Sequence, residues 1–353
     1  MAAAAVETLP GTERHVDGLA VPSGIGANQG VIKNEHIQRL RPTPKDTPIS
    51  EIRKRLKEDG YIFMKGLIPR EDVLNVRKQC AIPLLSFFSL SASSECSRIT
   101  SYFQHWGDTS LLEPGTSQQD GIFNSSENPL HHGGIGAGDL PLSEKEVETL
   151  ISSHHLDNYL NFLENPALRQ MVRDIMDWEK EILLRRTMLR HNPPGGVSTG
   201  IHYDKLFLRD GGAFFLTAWV PIGDVSANGG GLIYLSDSVP LGRAIEDDFS
   251  RRAANFTKAE RINAYNIHMH KFGILSNDGE EFLGREAGGK GKWLVGDYEA
   301  GDVVFHDPYM IHASGKNNDA GGRIRLSTDL RFYEEGSNMD ERWMDYWTPG
   351  DGL

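Results

Sequence analysis

The stretch from residue 323 to 333 alternates almost without fault. Its odd positions are Arg323, Arg325, Ser327, Asp329, Arg331 and Tyr333, and its even positions are Ile324, Leu326, Thr328, Leu330 and Phe332. A period of two puts the two sets on opposite faces of one strand. A chain with such a strand must build a sheet whose apolar face is covered. The polar face then looks either to solvent or into a cavity that offers arginine to an anion, and the pattern alone leaves both open. Further short runs of β-branched, aromatic and leucine residues, at 183–190, 213–221, 231–235, 292–295 and 303–305, are separated by Pro and Gly. The second half of the chain therefore reads as a β-sandwich or barrel.

The first half reads differently. The pattern predicts a helix over 51–59, capped by Ser50 and ended at Gly60, then a strand from Tyr61 to Met64 and a second helix opened by Pro69. A helical pattern also covers 143–178. Residues 1–46 lack a hydrophobic period and read as an extended or disordered arm, leaving 47–353 as a single domain. Residues 91–142 are polar and Gly-rich with scattered aromatics, the character of an insertion or a lid over a site.

Composition limits the partners. The formal charge is −12, which argues against nucleic acid and anionic membrane, since both need a basic footprint. No run is apolar enough for a membrane span, and the opening residues do not read as a secretory signal. With only Cys80 and Cys96, a disulfide framework or cysteine zinc site is not expected. A reducing, cytoplasmic setting is the expectation. The closing Asp-Gly-Leu is unlike a peroxisomal Ser-Lys-Leu address.

Among 13 histidines, His-x-Asp occurs three times. His15/Asp17 falls in the arm. His155/Asp157 falls in a helical pattern, where i and i+2 diverge. His202/Asp204 follows a Pro-Pro-Gly-Gly turn and precedes a predicted strand, Lys205-Leu206-Phe207-Leu208. In extended chain, i and i+2 share a face and can chelate one ion. A distal histidine would complete a set of two imidazoles and one carboxylate, which leaves positions open on an Fe(II) centre. His306 and His312 are both candidates, and spacing does not choose between them.

Five segments, taken in order, resemble the phytanoyl-CoA dioxygenase family of Fe(II)/2-oxoglutarate oxygenases. They are Thr187-Met188-Leu189 with Pro193-Pro194; His202-Tyr203-Asp204; Ala218-Trp219-Val220-Pro221-Ile222 with Asn228 to Leu232; Gly301-Asp302-Val303-Val304-Phe305; and Ile311-His312-Ala313-Ser314-Gly315-Lys316-Asn317. The resemblance covers roughly 51–333. It implies a mainly β fold with flanking helices, built on a double-stranded β-helix of jelly-roll or cupin type. It implies iron held by His202, Asp204 and His312, with 2-oxoglutarate and O₂ as cosubstrates. His312 is preferred to His306 because it precedes the Ala-Ser-Gly-x-Asn loop. An arginine on the next strand is implied for the far carboxylate of 2-oxoglutarate. Counting from His312 favours Arg323. Counting back from Phe332 favours Arg325, which also forms an Arg-x-Ser pair with Ser327. Arg325 is preferred. Trp219 and Ser314 fall where the family contacts the cosubstrate. Arg185, Arg186 and Arg190 either reach the same pocket or form a solvated edge.

The activity so implied is oxidation of a small organic metabolite by hydroxylation, desaturation or a related C–H reaction, in a setting such as natural-product biosynthesis. A fatty acyl-CoA hydroxylase is the alternative. It would need a basic groove for the CoA phosphates, for which residues 251–271 are the candidate. A non-catalytic cupin-like metal-binding protein is a third reading from another class.

Overall fold

The computed structural model describes residues 12–16, 19–78, 151–192, 194–257, 259–260 and 274–348. The predicted lid over 91–142, both cysteines and His268 and His270 lie outside them. The strands are β1 (Thr12–Val16), β2 (Leu19–Pro22), β3 (Ile37–Arg39), β4 (Pro42–Pro44), β5 (Tyr61–Lys65), β6 (Glu181–Leu183) and β7 (Met188–Asn192). They continue as β8 (Phe215–Pro221), β9 (Leu232–Leu235), β10 (Trp293–Val295), β11 (Val303–His306), β12 (His312–Ser314) and β13 (Arg325–Glu334). The helices are α1 (Ile49–Asp59), α2 (Arg70–Lys78), α3 (Asp157–Leu163), α4 (Pro166–Met176), α5 (Val239–Arg252) and α6 (Gly279–Arg285).

Local chemistry explains the helix ends. Asn165 accepts from the Ala167 and Leu168 amides, and Pro166 presets the first turn of α4. Asp278 caps α6 through the Glu280 and Glu281 amides. The expected cap by Ser50 does not form. α1 begins at Ile49 behind Pro48, so Ser50 lies inside its first turn. Gly60 does close α1, at φ 77°, where a Cβ would also strike Val239 and Met310. In the described part of the 143–178 pattern, from residue 151 on, α3 and α4 are separated at the Asn165-Pro166 break, and residues 143–150 lie outside the described chain. The predicted strand at Lys205–Leu208 is instead a 3₁₀ turn over Asp204–Leu206.

Two sheets organise the molecule. One runs β12-β9-β10-β3, the other β4-β5-β11-β8-β13-β6, with β7 also on β13. Alternation sorts four strands of the larger sheet, β5, β8, β11 and β13. Ile62 and Met64 of β5, Leu216, Ala218 and Val220 of β8, Val303 and Phe305 of β11, and Leu326, Leu330 and Phe332 of β13 share one core with α1 to α4. The opposite residues Tyr61, Phe63, Trp219 and Val304 meet Leu232, Tyr234 and Leu294 of the smaller sheet. Tyr61 stacks on Tyr234 with ring centroids 5.9 Å apart. The outer face of the smaller sheet, with Ile233, Leu235, Trp293 and Val295, is covered by Phe249, Phe282 and Leu283 from α5 and α6. The architecture is thus mainly β with flanking helices and a jelly-roll pair of sheets, as expected.

The arm reading of residues 1–46 requires correction over its described part from residue 19 on. Ile25, Ala27, Ile32, Ile37 and Leu40 are buried. β3 pairs in parallel with β10, and β4 pairs in parallel with β5. The segment has no sustained period because its side chains fill gaps singly along an irregular path, and the two of its strands that join the main sheets, β3 and β4, are three residues each. Each fully buried aliphatic side chain contributes about 1.5–3 kcal/mol. Deleting residues 1–46 should therefore lower stability by more than about 5 kcal/mol, read as a large fall in the thermal midpoint or loss of soluble protein. A dispensable arm would leave the midpoint unchanged.

Candidate metal centre

The alternation of β13 has its polar face turned inward. Arg325, Ser327, Asp329 and Arg331 are all buried, so this face looks into the space between the sheets. Register then assembles a site. Arg331 stands opposite Thr217 on β8, and Thr217 stands opposite His306 on β11. All three reach the buried carboxylate of Asp204. Arg331 Nη2 lies 3.0 Å from Oδ1, Thr217 Oγ1 donates to Oδ2 at 2.6 Å, and His306 Nε2 lies 3.3 Å from Oδ2.

His202 and His312 approach from the smaller sheet. Their backbones exchange two hydrogen bonds, each 2.9 Å, and their ring centroids are 4.2 Å apart. His202 Nδ1 is 2.7 Å from the Gly200 carbonyl, and His312 Nδ1 is 2.9 Å from the Met310 carbonyl. A carbonyl only accepts, so both Nδ1 atoms carry the proton and both Nε2 atoms keep a lone pair. Those Nε2 atoms sit 3.8 and 3.9 Å from the same oxygen, Asp204 Oδ1. Ligand atoms of His202, Asp204 and His312 lie within 4.8 Å of one another. The second nitrogen of each ring is anchored to backbone, the usual outer support of a metal-bound imidazole.

Protonation states agree with that use. Burial depresses the His202 imidazole. Burial, reinforced by His202 and His306, holds His312 well below the ordinary imidazole value. Burial alone would raise Asp204, but the Arg331 guanidinium and the His306 hydrogen bond hold it well below the usual carboxylate range. Two neutral imidazoles and a charged carboxylate are a donor set suited to Fe(II) with positions left open.

The other predicted residues are placed as follows. Arg325 is buried at the far end of the same face. Its Nη1 donates to Ser327 Oγ at 2.6 Å, its Nη2 to Ser314 Oγ at 2.5 Å and its Nε to the Gly230 carbonyl at 3.0 Å. The Arg323 side chain is 56% exposed and pairs with Asp319. Trp219 is buried on the inner face of β8, 4.7 Å from the Tyr298 ring. Arg190 approaches Asp329 at 3.5 Å and donates to Thr199, Arg186 is buried beside Trp347, and Arg185 is exposed. Sequence reasoning missed Thr217 and the special place of Arg331. Arg331 was visible as a member of the alternating polar set. Thr217 carried no signal beyond lying two residues before Trp219.

Fold and site together are those of a mononuclear non-haem iron enzyme that uses 2-oxoglutarate and O₂. The family model for phytanoyl-CoA dioxygenase matches residues 56–325, and the chain belongs to that family. The reading as a non-catalytic cupin-like protein is set aside accordingly. Comparison with curated proteins gives no match. Solved structures similar to the chain include the α-ketoglutarate-dependent carbocyclase SnoK from nogalamycin biosynthesis, at 13% identity and TM-score 0.48, covering 89% of this chain and 96% of that one. The epimerase SnoN from the same biosynthesis is similar at 14% identity and TM-score 0.45, covering 86% and 91%. EvdO2 from Micromonospora carbonacea var. aurantiaca, complexed with 2-oxoglutarate, is similar at 14% identity and TM-score 0.43, covering 88% and 100%. Among the described residues no helix is long and apolar enough to cross a membrane.

Two outcomes follow from this geometry. Replacing His202 or His312 by Ala should abolish iron binding, whereas His306→Ala should weaken it by about 10–100-fold, the range for a lost outer partner. Anaerobic Fe(II) titration measures the difference, and a reversed order of His306 and His312 would reassign the ligand. Second, an imidazole whose folded pKa lies below its unfolded value binds more protons when unfolded. The iron-free protein should therefore lose stability as the pH falls below the ordinary imidazole value of 6.5. Urea unfolding at about pH 7 and about pH 5.5 reads this slope. A His202→Asn/His312→Asn double variant should flatten it, and an unchanged slope would exclude these rings as its source.

Proposed function

We propose that His202, Asp204 and His312 hold Fe(II), that Arg325 with Ser314 and Ser327 binds the far carboxylate of 2-oxoglutarate, and that the enzyme oxidises a C–H bond of a small organic metabolite of the kind made in natural-product biosynthesis. One observation carries this reading. Two imidazole Nε2 atoms and one carboxylate oxygen converge, and a rigidly held arginine stands on the same inner face. When bound, iron with 2-oxoglutarate and O₂ supplies the oxidising power. The protein's own part is to bind, orient and exclude water.

The cosubstrate pocket follows from hydrogen-bond counting. Ser314 and Ser327 each accept from the Arg325 guanidinium, so each hydroxyl keeps its own proton to donate. A carboxylate beside them meets two hydroxyl donors and a cation in one place. A desolvated carboxylate without such a partner would cost several kcal/mol. Exposed Arg323, already facing Asp319, lacks that geometry. Trp219 and Tyr298 form an apolar wall on the same side of the sheet.

A small metabolite fits better than an acyl-CoA. The overall charge is −12. Arg251 and Arg252, the described cations of the candidate CoA groove, are both paired with Asp248. Residues 258 and 261–271 of that segment lie outside the described chain.

Arg325→Ala should raise the 2-oxoglutarate requirement by on the order of 100-fold, and Arg325→Lys should restore it in part, since an ammonium cannot reproduce the planar fork. Arg323→Ala should stay near wild type. Succinate formed against 2-oxoglutarate concentration is the measurement, and a large defect confined to Arg323 would reverse the assignment. Succinate release stimulated by fatty acyl-CoA and by no small metabolite would overturn the substrate class.

A further inference from the structure

Aromatic rings run in contact from the candidate metal centre toward the protein surface. Tyr234 of β9 stands opposite His312 of β12. Its ring centroid is 5.6 Å from the His312 ring and 5.4 Å from the His306 ring. Tyr234 also stacks on Tyr61 at 5.9 Å, with the ring planes 18° apart. Tyr234 is fully enclosed, whereas Tyr61 is 5% exposed. The Tyr61 hydroxyl accepts the backbone amide of Arg41, an exposed residue, at 3.0 Å. Phenol side chains are among those that give up an electron most readily, and two of them here bridge the metal site and the surface.

Hydrogen bonds decide what the first ring can do. A carboxylate only accepts, so the His306 nitrogen facing Asp204, Nε2, carries the ring proton. Nδ1 keeps a lone pair, and the Tyr234 hydroxyl donates to it at 3.3 Å. A buried phenol that lost an electron alone would become a cation away from water, at a high cost. With His306 beside it, the proton leaves together with the electron. The imidazolium so formed lies against the Asp204 carboxylate. The electron gained at the metal site offsets the proton gained by His306, so the charge of the buried cluster is unchanged. Two neighbouring tyrosines are placed differently. Tyr298, 4.7 Å from the Trp219 ring, donates to the Leu232 carbonyl, which cannot take a proton. Tyr203 sends its hydroxyl to Glu246 of α5, which Arg209 already binds.

Resting on the function proposed above, the structure assigns Tyr234 and Tyr61 a further function: an escape path for one oxidising equivalent when the oxidant made from 2-oxoglutarate and O₂ meets no substrate. Tyr234 gives one electron to the metal site and its O–H proton to His306 Nδ1, and a neutral tyrosyl radical is left. Tyr234 then takes an electron from Tyr61 and recovers its proton from His306, while the Tyr61 proton leaves to water. The radical ends beside the surface, where a one-electron reductant from solution, such as ascorbate or a thiol, quenches it. The pair of rings thereby draws a stray oxidant away from the metal-binding side chains.

The test needs no primary substrate. Protein is loaded anaerobically with Fe(II) and 2-oxoglutarate, checked by the visible charge-transfer band of the complex, then mixed with O₂ and frozen during the first turnovers. Wild-type protein should show the electron paramagnetic resonance signal of a tyrosyl radical, and a nitroso spin trap should leave its adduct on Tyr61 in peptide mass spectra. Tyr234→Phe keeps the ring but removes the O–H. It should lose both signal and adduct while still consuming 2-oxoglutarate, and should inactivate after fewer turnovers. Tyr61→Phe should lose the adduct but keep a radical, now with a different hyperfine pattern because it resides on Tyr234. Tyr159→Phe, at a buried tyrosine bonded to Thr187 and Thr328, should match wild type. Absence of a radical in wild-type protein that consumes 2-oxoglutarate, a signal or adduct untouched by Tyr234→Phe, or an equal loss with Tyr159→Phe would each overturn the proposal. If Tyr234→Phe does not load with iron, Tyr61→Phe decides alone, and an unchanged hyperfine pattern overturns the path. If wild-type protein forms no charge-transfer band and consumes no 2-oxoglutarate, the failure is that of the iron and 2-oxoglutarate reading itself.

Discussion

A single buried carboxylate sets the terms for the centre of this molecule. Asp204 lies away from water at the meeting of both sheets, and a lone carboxylate there would be prohibitive. The structure surrounds it with a guanidinium, a hydroxyl and an imidazole donor, each from a different strand of the larger sheet. On the other side it faces the lone pairs of two imidazoles from the smaller sheet. Its charge is thus satisfied from one side and left available on the other. The register of β8, β11 and β13 is fixed by the apolar residues of the opposite face, so core packing and site geometry are two readings of one alternation.

That alternation is also why so much was legible beforehand. In β13, period two sorted the residues correctly, and the choice between a solvated face and an inward one depended on which sheet stood opposite. No local pattern contains that information. His202/Asp204 could be separated from the other His-x-Asp pairs by asking which backbone permits chelation. The strand predicted after it failed because Lys205 and Leu206 turn in a 3₁₀ bend that brings Asp204 back toward His306. The contest between His306 and His312 had no answer in spacing, since both end up at Asp204. Their roles separate only through the partners of their ring nitrogens, Met310 carbonyl for one and Tyr234 hydroxyl for the other.

Arg323 and Arg325 make the same point from the other direction. They share one strand face in the sequence pattern, but β13 begins at Arg325. Two residues before it, Arg323 pairs with Asp319 at the end of the loop, where a guanidinium is drawn to solvent. The N-terminal segment misled for a different reason. Strands of three residues are shorter than any periodicity test, and burial of isolated Ile and Leu side chains leaves no stripe.

That segment also settles how the two sheets end. β3 and β4 are separated by only Leu40 and Arg41, yet each adds in parallel to the border of a different sheet. One short run of chain therefore hems two sheets at once. The strand it lays along the larger sheet is Pro42-Thr43-Pro44, and two of its three residues have no amide hydrogen to offer a newcomer. A bare β edge invites another molecule to continue the ladder, and proline is among the residues that refuse the invitation. The same few residues that tie the sheets into one body thus guard the enzyme against polymerising through that edge.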